Sequence, residues 1–542
     1  MSDTNTTAPI LRIRNLRVSA PGGAVLVDGV SLDLAPGEVL GLIGESGAGK
    51  STIGLAAMGY GRGGCRITGG SIHVAGSDLM AGGRAVREKV RGARIAYVAQ
   101  SAASAFNPAM RIGEQVMEAP LYHRLMSPAE AKAWMLELFT ALDLPDPEGF
   151  AGRYPHQVSG GQLQRAMVAM AMACRPDILV LDEPTTALDV TTQIELLALL
   201  RRLIHRYRTA GLYITHDLAV VAQVADRIMV LRHGRMEEAG SAAEVLETPQ
   251  QDYTRRLVHE RAASLSGEGA HHHNSEVLLE VSGVSAGYRA VSVLGDISCR
   301  LNRGETLAVV GESGSGKSTL ARVVAGLLPP SAGTVSFAGR RLAGSYRARS
   351  RDELRRIQLV YQLPDVALNP RQTVGEIIGR PLAFYFGLKG AERTREVERL
   401  LTEIGLPADF AGRLPGALSG GQKQRVCIAR ALAARPDLVI CDEVTSALDP
   451  LVAEDILNLL RTLQDARGVA YLFITHDLGV VRRLADRTMV MQKGRVVEQG
   501  PTEAIFTPPQ APYTAELIAS VPELRRDWLD DVLARRAGSN AA

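Results

Sequence analysis

Residues 44–51 read GESGAGKS, and residues 311–318 read GESGSGKS. Each octet follows a short apolar run, EVLGLIG (38–44) in the first half, and STIGLAAMG (51–59) after it has the composition of a helix. A glycine-rich turn between strand and helix suits a phosphate, because its backbone N–H groups can converge on one anion. The helix behind it adds the positive end of its dipole. The candidate nucleotide residues are therefore Gly44, Glu45, Ser46, Gly47, Ala48, Gly49, Lys50, Ser51 and Thr52. Their counterparts are Gly311, Glu312, Ser313, Gly314, Ser315, Gly316, Lys317, Ser318 and Thr319. Lys50 and Lys317 suit the β- and γ-phosphates, and the Ser51 and Ser318 hydroxyls suit Mg²⁺.

The two loops belong to a duplication. Lys50 and Lys317 differ by 267 positions, Gln100 and Gln362 by 262, and SGGQLQR (159–165) and SGGQKQR (419–425) by 260. Asp182 with Glu183 recurs as Asp442 with Glu443, and His216 recurs as His476, again 260 apart. A period this long means two tandem domains rather than a solenoid. Further apolar runs, DILVLDE (177–183) and GLYITHD (211–217), recur as DLVICDE (437–443) and AYLFITHD (470–477). Strands alternating with helices predict an α/β fold with a mainly parallel sheet. PAEAKAWMLELFTAL (128–142) and ERTREVERLLTEIG (392–405) read as helices of a separate lobe in each half.

Composition bounds the function. Hydrophobic residues are 46% and charged residues 22% of 542, and 61 basic against 58 acidic residues leave a net charge of +3. That is globular composition without a nucleic-acid footprint. The five cysteines form no CxxC pair, which argues against a disulfide framework or metal knuckle and for a reducing cytoplasm. The N-terminus lacks a signal-peptide pattern, and the run AMVAMAMAC (166–174) is too short to span a bilayer. The expectation is a soluble chain that can serve a membrane only as a peripheral subunit. ASLSGEGAHHHNSE (263–276) reads as a linker, and His271–His273 within it could bind a metal, though three adjacent histidines in a linker are more often unremarkable.

Each half carries the parts of a hydrolytic site. Asp182 and Asp442 end apolar runs, where a carboxylate can face a metal, and Glu183 and Glu443 beside them can deprotonate water. His216 and His476 follow another strand and can contact a γ-phosphate. Ser159, Gly160, Gly161 and Gln162, with Ser419, Gly420, Gly421 and Gln422, open helices and form a second anion-binding start in each half.

In this order the residues GxxxxGKS, glutamine, SGGQ, LDEP or CDEV, ALD and THD resemble the ATP-binding-cassette ATPases over nearly the whole chain. The resemblance implies two cassettes, each with a RecA-like parallel-sheet core, an antiparallel β subdomain and a helical subdomain. It places cassette 1 at 9–262 with a helical lobe near 101–158. Cassette 2 lies at 277–525 with a lobe near 363–418, and a tail at 526–542. It implies ATP and Mg²⁺ as cofactors, with Ser51, Gln100 and Asp182, and Ser318, Gln362 and Asp442, around the metal. Catalysis falls to Glu183, His216, Glu443 and His476. In that family the signature of one cassette completes the phosphate site of the other, and Asp189 and Asp449 couple the two. An aromatic upstream of the loop stacks adenine. Tyr288 suits that role, but the equivalent position is Pro21, so weaker ATP binding is expected at the first site by roughly five- to a hundredfold.

SAFNPAMRIGEQV (104–116) and VALNPRQTVGEII (366–378), with TPQQDYTRRLV (248–258) and TPPQAPYTAELI (507–518), resemble the peptide and nickel importer ATPases. This implies a peripheral subunit on the cytoplasmic face of a bacterial inner membrane. It hydrolyses ATP to drive peptide import through two permeases served by an extracytoplasmic solute-binding protein. It also implies no direct solute contact. The iron–sulfur cluster common in that subfamily is not expected, since neither the linker (263–276) nor residues 520–542 contain a cysteine. Nickel or sugar/opine import is the alternative load, and a tandem-cassette translation factor is a more distant one.

Overall fold

The computed structural model describes residues 8–185, 188–266, 276–289, 291–446 and 448–540. The chain forms two compact units. One comprises the residues up to Arg261 together with those from Pro522 onward, and the other runs from Ala262 to Val521. The histidine triplet His271–His273 lies outside the described residues. The helix Asp252–Ser266 continues four residues into the stretch read as linker.

In the first unit, six strands run in the order Arg235–Ser241, Arg227–Arg232, Val39–Ile43, Ala210–Ile214, Ile178–Asp182, Ile95–Val98. Only the pairing of Arg235–Ser241 with its neighbour is antiparallel. Every residue of Val39–Ile43, Ile178–Asp182 and Ala210–Ile214 is buried. That is why these strands appear in sequence as unbroken apolar runs: both faces are covered, so neither face alternates with polar residues. Leu40, Leu42, Val180, Leu212 and Ile214 form the core with the helix Lys50–Ala57.

A second sheet, antiparallel, orders Val25–Leu34, Leu11–Ser19, Arg66–Val74 and Ser77–Asp78. A helical lobe intervenes between Ile95–Val98 and Ile178–Asp182. It is built on Ile112–Tyr122 and Pro128–Ala141, the latter capped by Ser127 and Glu130. Phe139 and Phe150 meet edge-to-face at 5.4 Å in its core.

The second unit repeats this plan. Its main sheet runs Ile357–Val360, Leu438–Asp442, Ala470–Ile474, Thr306–Val310, Arg487–Gln492, Arg495–Pro501, again with only the last pairing antiparallel. Val291–Asn302, Val277–Tyr288, Ala332–Phe337 and Arg340–Arg341 form the antiparallel sheet. Ile378, Leu382, Leu400, Leu401 and Phe410 pack the helical lobe.

The end of the chain departs from the expected plan. The sequence reading gave residues up to 525 to the second cassette, whereas residues from Pro522 onward pack into the first unit. Trp528, Leu529 and Val532 are buried there. The Gln223 carboxamide donates to the carbonyls of Glu523 (2.8 Å) and Arg525 (3.0 Å) and accepts from the Leu529 N–H at 3.1 Å. Arg201 pairs with Asp530. Among the described residues all five cysteines are free, and no helix is long and apolar enough to cross a membrane.

Candidate functional site

Parallel pairing brings the site together. Val39–Ile43 lies beside Ala210–Ile214, which lies beside Ile178–Asp182, with all three strands pointing the same way. Gly44, Thr215–His216 and Asp182–Glu183 therefore emerge at one sheet edge, the position where α/β sheets bind ligands.

Gly44 follows Ile43 with φ 146°, and a Cβ there would stand 2.1 Å from the Leu231 carbonyl oxygen, so only glycine fits this turn. Ser46 and Gly47 are exposed at the tip of the loop. Lys50 is buried, and its ammonium folds back to donate to the carbonyls of Gly44 (2.5 Å) and Glu45 (2.8 Å). Lys317 does the same at Gly311 (2.7 Å) and Glu312 (2.8 Å). The loop thus wraps a fixed positive charge, which suits a polyphosphate.

Ser51 Oγ donates to Asp182 Oδ1 at 2.8 Å, and Ser318 Oγ to Asp442 Oδ1 at 2.9 Å. Burial pushes the pKa of both aspartates up, and the serine hydrogen bonds oppose it. A buried carboxylate beside a hydroxyl is a donor set of hard oxygens, which fits Mg²⁺. Among the described residues no cluster of three His, Cys, Asp or Glu side chains provides an alternative metal site.

Glu183 is held at both carboxylate oxygens. Gln100 Nε2 donates to Oε2 at 2.8 Å, and His216 Nδ1 stands 3.0 Å from Oε1. Gln362 donates to Glu443 Oε2 at 2.7 Å, with His476 Nδ1 at 3.5 Å from Oε1. Both glutamates take left-handed backbone, φ 48° at Glu183 and 51° at Glu443. That conformation costs about 1–2 kcal/mol in a non-glycine residue, and such strain concentrates at working sites. Burial lowers the His216 pKa, but the hydrogen bond and charge of Glu183 outweigh it and the net shift is upward. His476 is raised by the same balance with Glu443. Burial raises Glu443, and His476, together with Lys317 and Gln362, more than offsets it, leaving its pKa lowered.

Ser159 and Ser419 cap the helices Gly160–Met172 and Gly420–Leu432. Each accepts from the N–H of Gln162 or Gln422 at 3.3 Å, while that glutamine's side chain accepts from the serine N–H. Asp189 caps Val190–Tyr207 through the Thr192 N–H (3.0 Å), and Asp449 caps Pro450–Arg467 through the Val452 N–H (3.0 Å). Tyr288 is 41% exposed and accepts from Arg322 Nη1 at 2.8 Å. Pro21 stands exposed in the turn between Leu11–Ser19 and Val25–Leu34.

Sequence reasoning missed three tyrosines. Tyr97 donates to Asp182 Oδ2 at 2.6 Å, so in the first unit both oxygens of that aspartate are held. Its counterpart, at the same offset that relates Gln100 to Gln362, is Leu359. The hydroxyls of Tyr253 and Tyr513 accept from the phosphate-loop N–H groups of Glu45 and Glu312. The repetition of Tyr-Thr within the two C-terminal extensions was the available signal for the second pair.

A family model described as ABC transporter matches residues 27–186 and 294–446. The model for the oligopeptide/dipeptide transporter C-terminal region matches 497–541. The chain is 37% identical to the glutathione import ATP-binding protein GsiA of Salmonella choleraesuis, over 96% of this chain and 91% of that one. It is 41% identical to the peptidoglycan transport ATP-binding protein YejF of Agrobacterium fabrum, over 96% and 97%. Among solved structures, CbiO1 of Clostridium perfringens matches at TM-score 0.40 and 31% identity, over 43% of this chain and 91% of that one.

Proposed function

The chain belongs to the ABC transporter family, and from that premise we propose that it is the ATP-hydrolysing subunit of a peptide importer. The observation that carries the chemistry is the duplicated fork in which Gln100 and His216 hold Glu183, and Gln362 and His476 hold Glu443. ATP lies along Gly44–Thr52 and Gly311–Thr319, with Lys50 and Lys317 on its phosphates. Ser159–Gln162 and Ser419–Gln422 offer further donors to the γ-phosphate. Ser51 with Asp182, and Ser318 with Asp442, would hold Mg²⁺, with Gln100 and Gln362 nearby. That ion, when bound, neutralises charge on the β- and γ-phosphates.

Glu183 and Glu443 accept a proton from the attacking water. The glutamine and histidine on their two oxygens aim each carboxylate. Tyr288 stacks adenine in the second cassette, and Asp189 and Asp449 hold the helices that follow the catalytic loops. The load is a peptide-like solute, as the names of both relatives and the C-terminal match suggest. The chain works at the cytoplasmic face of a bacterial inner membrane beside two permeases and a solute-binding protein, and it does not touch the solute itself.

Glu183→Gln with Glu443→Gln is expected to lower ATP turnover by about 10²–10⁴ while ATP still binds. The same variant, recovered from gently solubilised native membranes, should bring down two polytopic permeases and a solute-binding protein. Recovery of ribosomal particles without permeases would refute the transport reading and leave the ATPase chemistry standing.

A further inference from the structure

Each phosphate loop is held from behind by a tyrosine that the roles above leave unused. Tyr253, in the helix Asp252–Ser266, accepts from the Glu45 N–H at 3.2 Å. Tyr513, in the helix Pro512–Ala519, accepts from the Glu312 N–H at 3.1 Å. The two contacts occupy equivalent positions in the two units, since the tyrosines are 260 residues apart, as are Ser159 and Ser419. The two tyrosines are 4% and 7% exposed, and the Arg232 guanidinium lies 4.8 Å from the Tyr253 ring centre. Rigid packing therefore delivers each hydroxyl to the loop.

The residue it grips is mechanically central. Glu45 sits where the strand gives way to the loop, and its carbonyl accepts from Lys50 Nζ at 2.8 Å. Glu312 and Lys317 repeat this at 2.8 Å. One residue is thus fixed at its N–H by the C-terminal extension and at its carbonyl by the lysine assigned to the phosphates. We infer that Tyr253 and Tyr513 are positioning residues for ATP, holding the loop so that its remaining N–H groups and its lysine face the phosphates before nucleotide arrives. The C-terminal extension of each cassette is then part of its nucleotide site, and anything that undocks the extension loosens ATP. The inference rests on the reading that these loops bind ATP.

The test is Tyr253→Phe and Tyr513→Phe, singly and together, in the full chain carrying Glu183→Gln and Glu443→Gln. Phenylalanine keeps the packed ring and removes only the hydroxyl, which at Tyr253 also bonds the Glu45 side chain. Titration with fluorescent mant-ATP and Mg²⁺ should show one of two binding phases weakened about three- to tenfold by each single change, and both by the pair, as the loss of one net hydrogen bond predicts. In the hydrolytic chain KM for ATP should rise with kcat unchanged. A bond serving stability alone would lower the melting temperature equally with and without nucleotide and leave affinity intact, which would overturn the inference. Hydrogen exchange in the unsubstituted chain provides a second measurement. The Glu45 and Glu312 amides should be protected without nucleotide, and rapid exchange there would also overturn it. If the parent chain fails to bind mant-ATP at all, the ATP reading itself falls.

Discussion

Tyr288→Ala should abolish the tighter of two ATP-binding events. Tyr288 closes the strand Val277–Tyr288, 41% exposed, with its hydroxyl held by Arg322 and the guanidinium 6.0 Å from the ring centre. It therefore presents a fixed aromatic ring against the helix Lys317–Val324 that follows the second loop. The first unit offers Pro21 and the exposed aliphatic Val25 in the corresponding region. Base–aromatic stacking contributes about 1–3 kcal/mol, and about 1.4 kcal/mol is tenfold in affinity, so the sites should differ by roughly five- to a hundredfold. Calorimetric titration of ATP into the Glu183→Gln, Glu443→Gln chain should resolve two classes. Tyr288→Ala should merge them at the weaker value, and Pro21→Tyr should tighten the weaker class. Tyr288→Phe keeps the ring and should stay within about threefold of the parent. A single binding class in the parent, or two classes that persist in Tyr288→Ala, would refute the stacking argument.

The histidine–glutamate pairs predict a pH dependence. Because the folded-state pKa of His216 and His476 is raised, their contribution to stability is complete below the ordinary histidine value of about 6.5 and is lost as pH rises through the folded value. Glu443 is lowered, so its share is present above the ordinary carboxylate range and lost as pH falls. Urea unfolding of the nucleotide-free chain from pH 6 to 9 should show stability falling on the alkaline side, and an unchanged slope in His216→Ala, His476→Ala would contradict the pairing. Trp528→Ala empties a buried site in the first unit. At about 3–5 kcal/mol for such a truncation, and about 2–4 °C per kcal/mol, the first unit's melting transition should drop by at least about 6 °C. A shift below 2 °C would show that the terminal segment is not docked in solution.

How much of this was legible in sequence follows from how local each feature is. The phosphate loop could be read because its turn forces glycine at Gly44 and its helix start forces the rest. The strands could be read because burial on both faces leaves unbroken apolar runs such as 178–181. The capping serines were legible for the same reason, since Ser159 and Gln162 are three residues apart. What stayed hidden depends on register between distant segments. Tyr97 meets Asp182 across 85 residues, Tyr253 meets Glu45 across 208, and the Gln223 side chain meets Leu529 across 306. No periodicity encodes those distances. The left-handed backbone of Glu183 and Glu443 is likewise imposed by tertiary structure, since each N–H is tied to the adjacent strand at Ile214 or Ile474. The two halves also differ where duplication predicts identity. Tyr97, bonded to Asp182, stands against Leu359, and Pro21 against Tyr288, so each unit has a side chain that the other lacks. If both differences act as argued, the first site holds its aspartate more firmly and its adenine more loosely than the second, and the two should separate in nucleotide affinity before they separate in turnover.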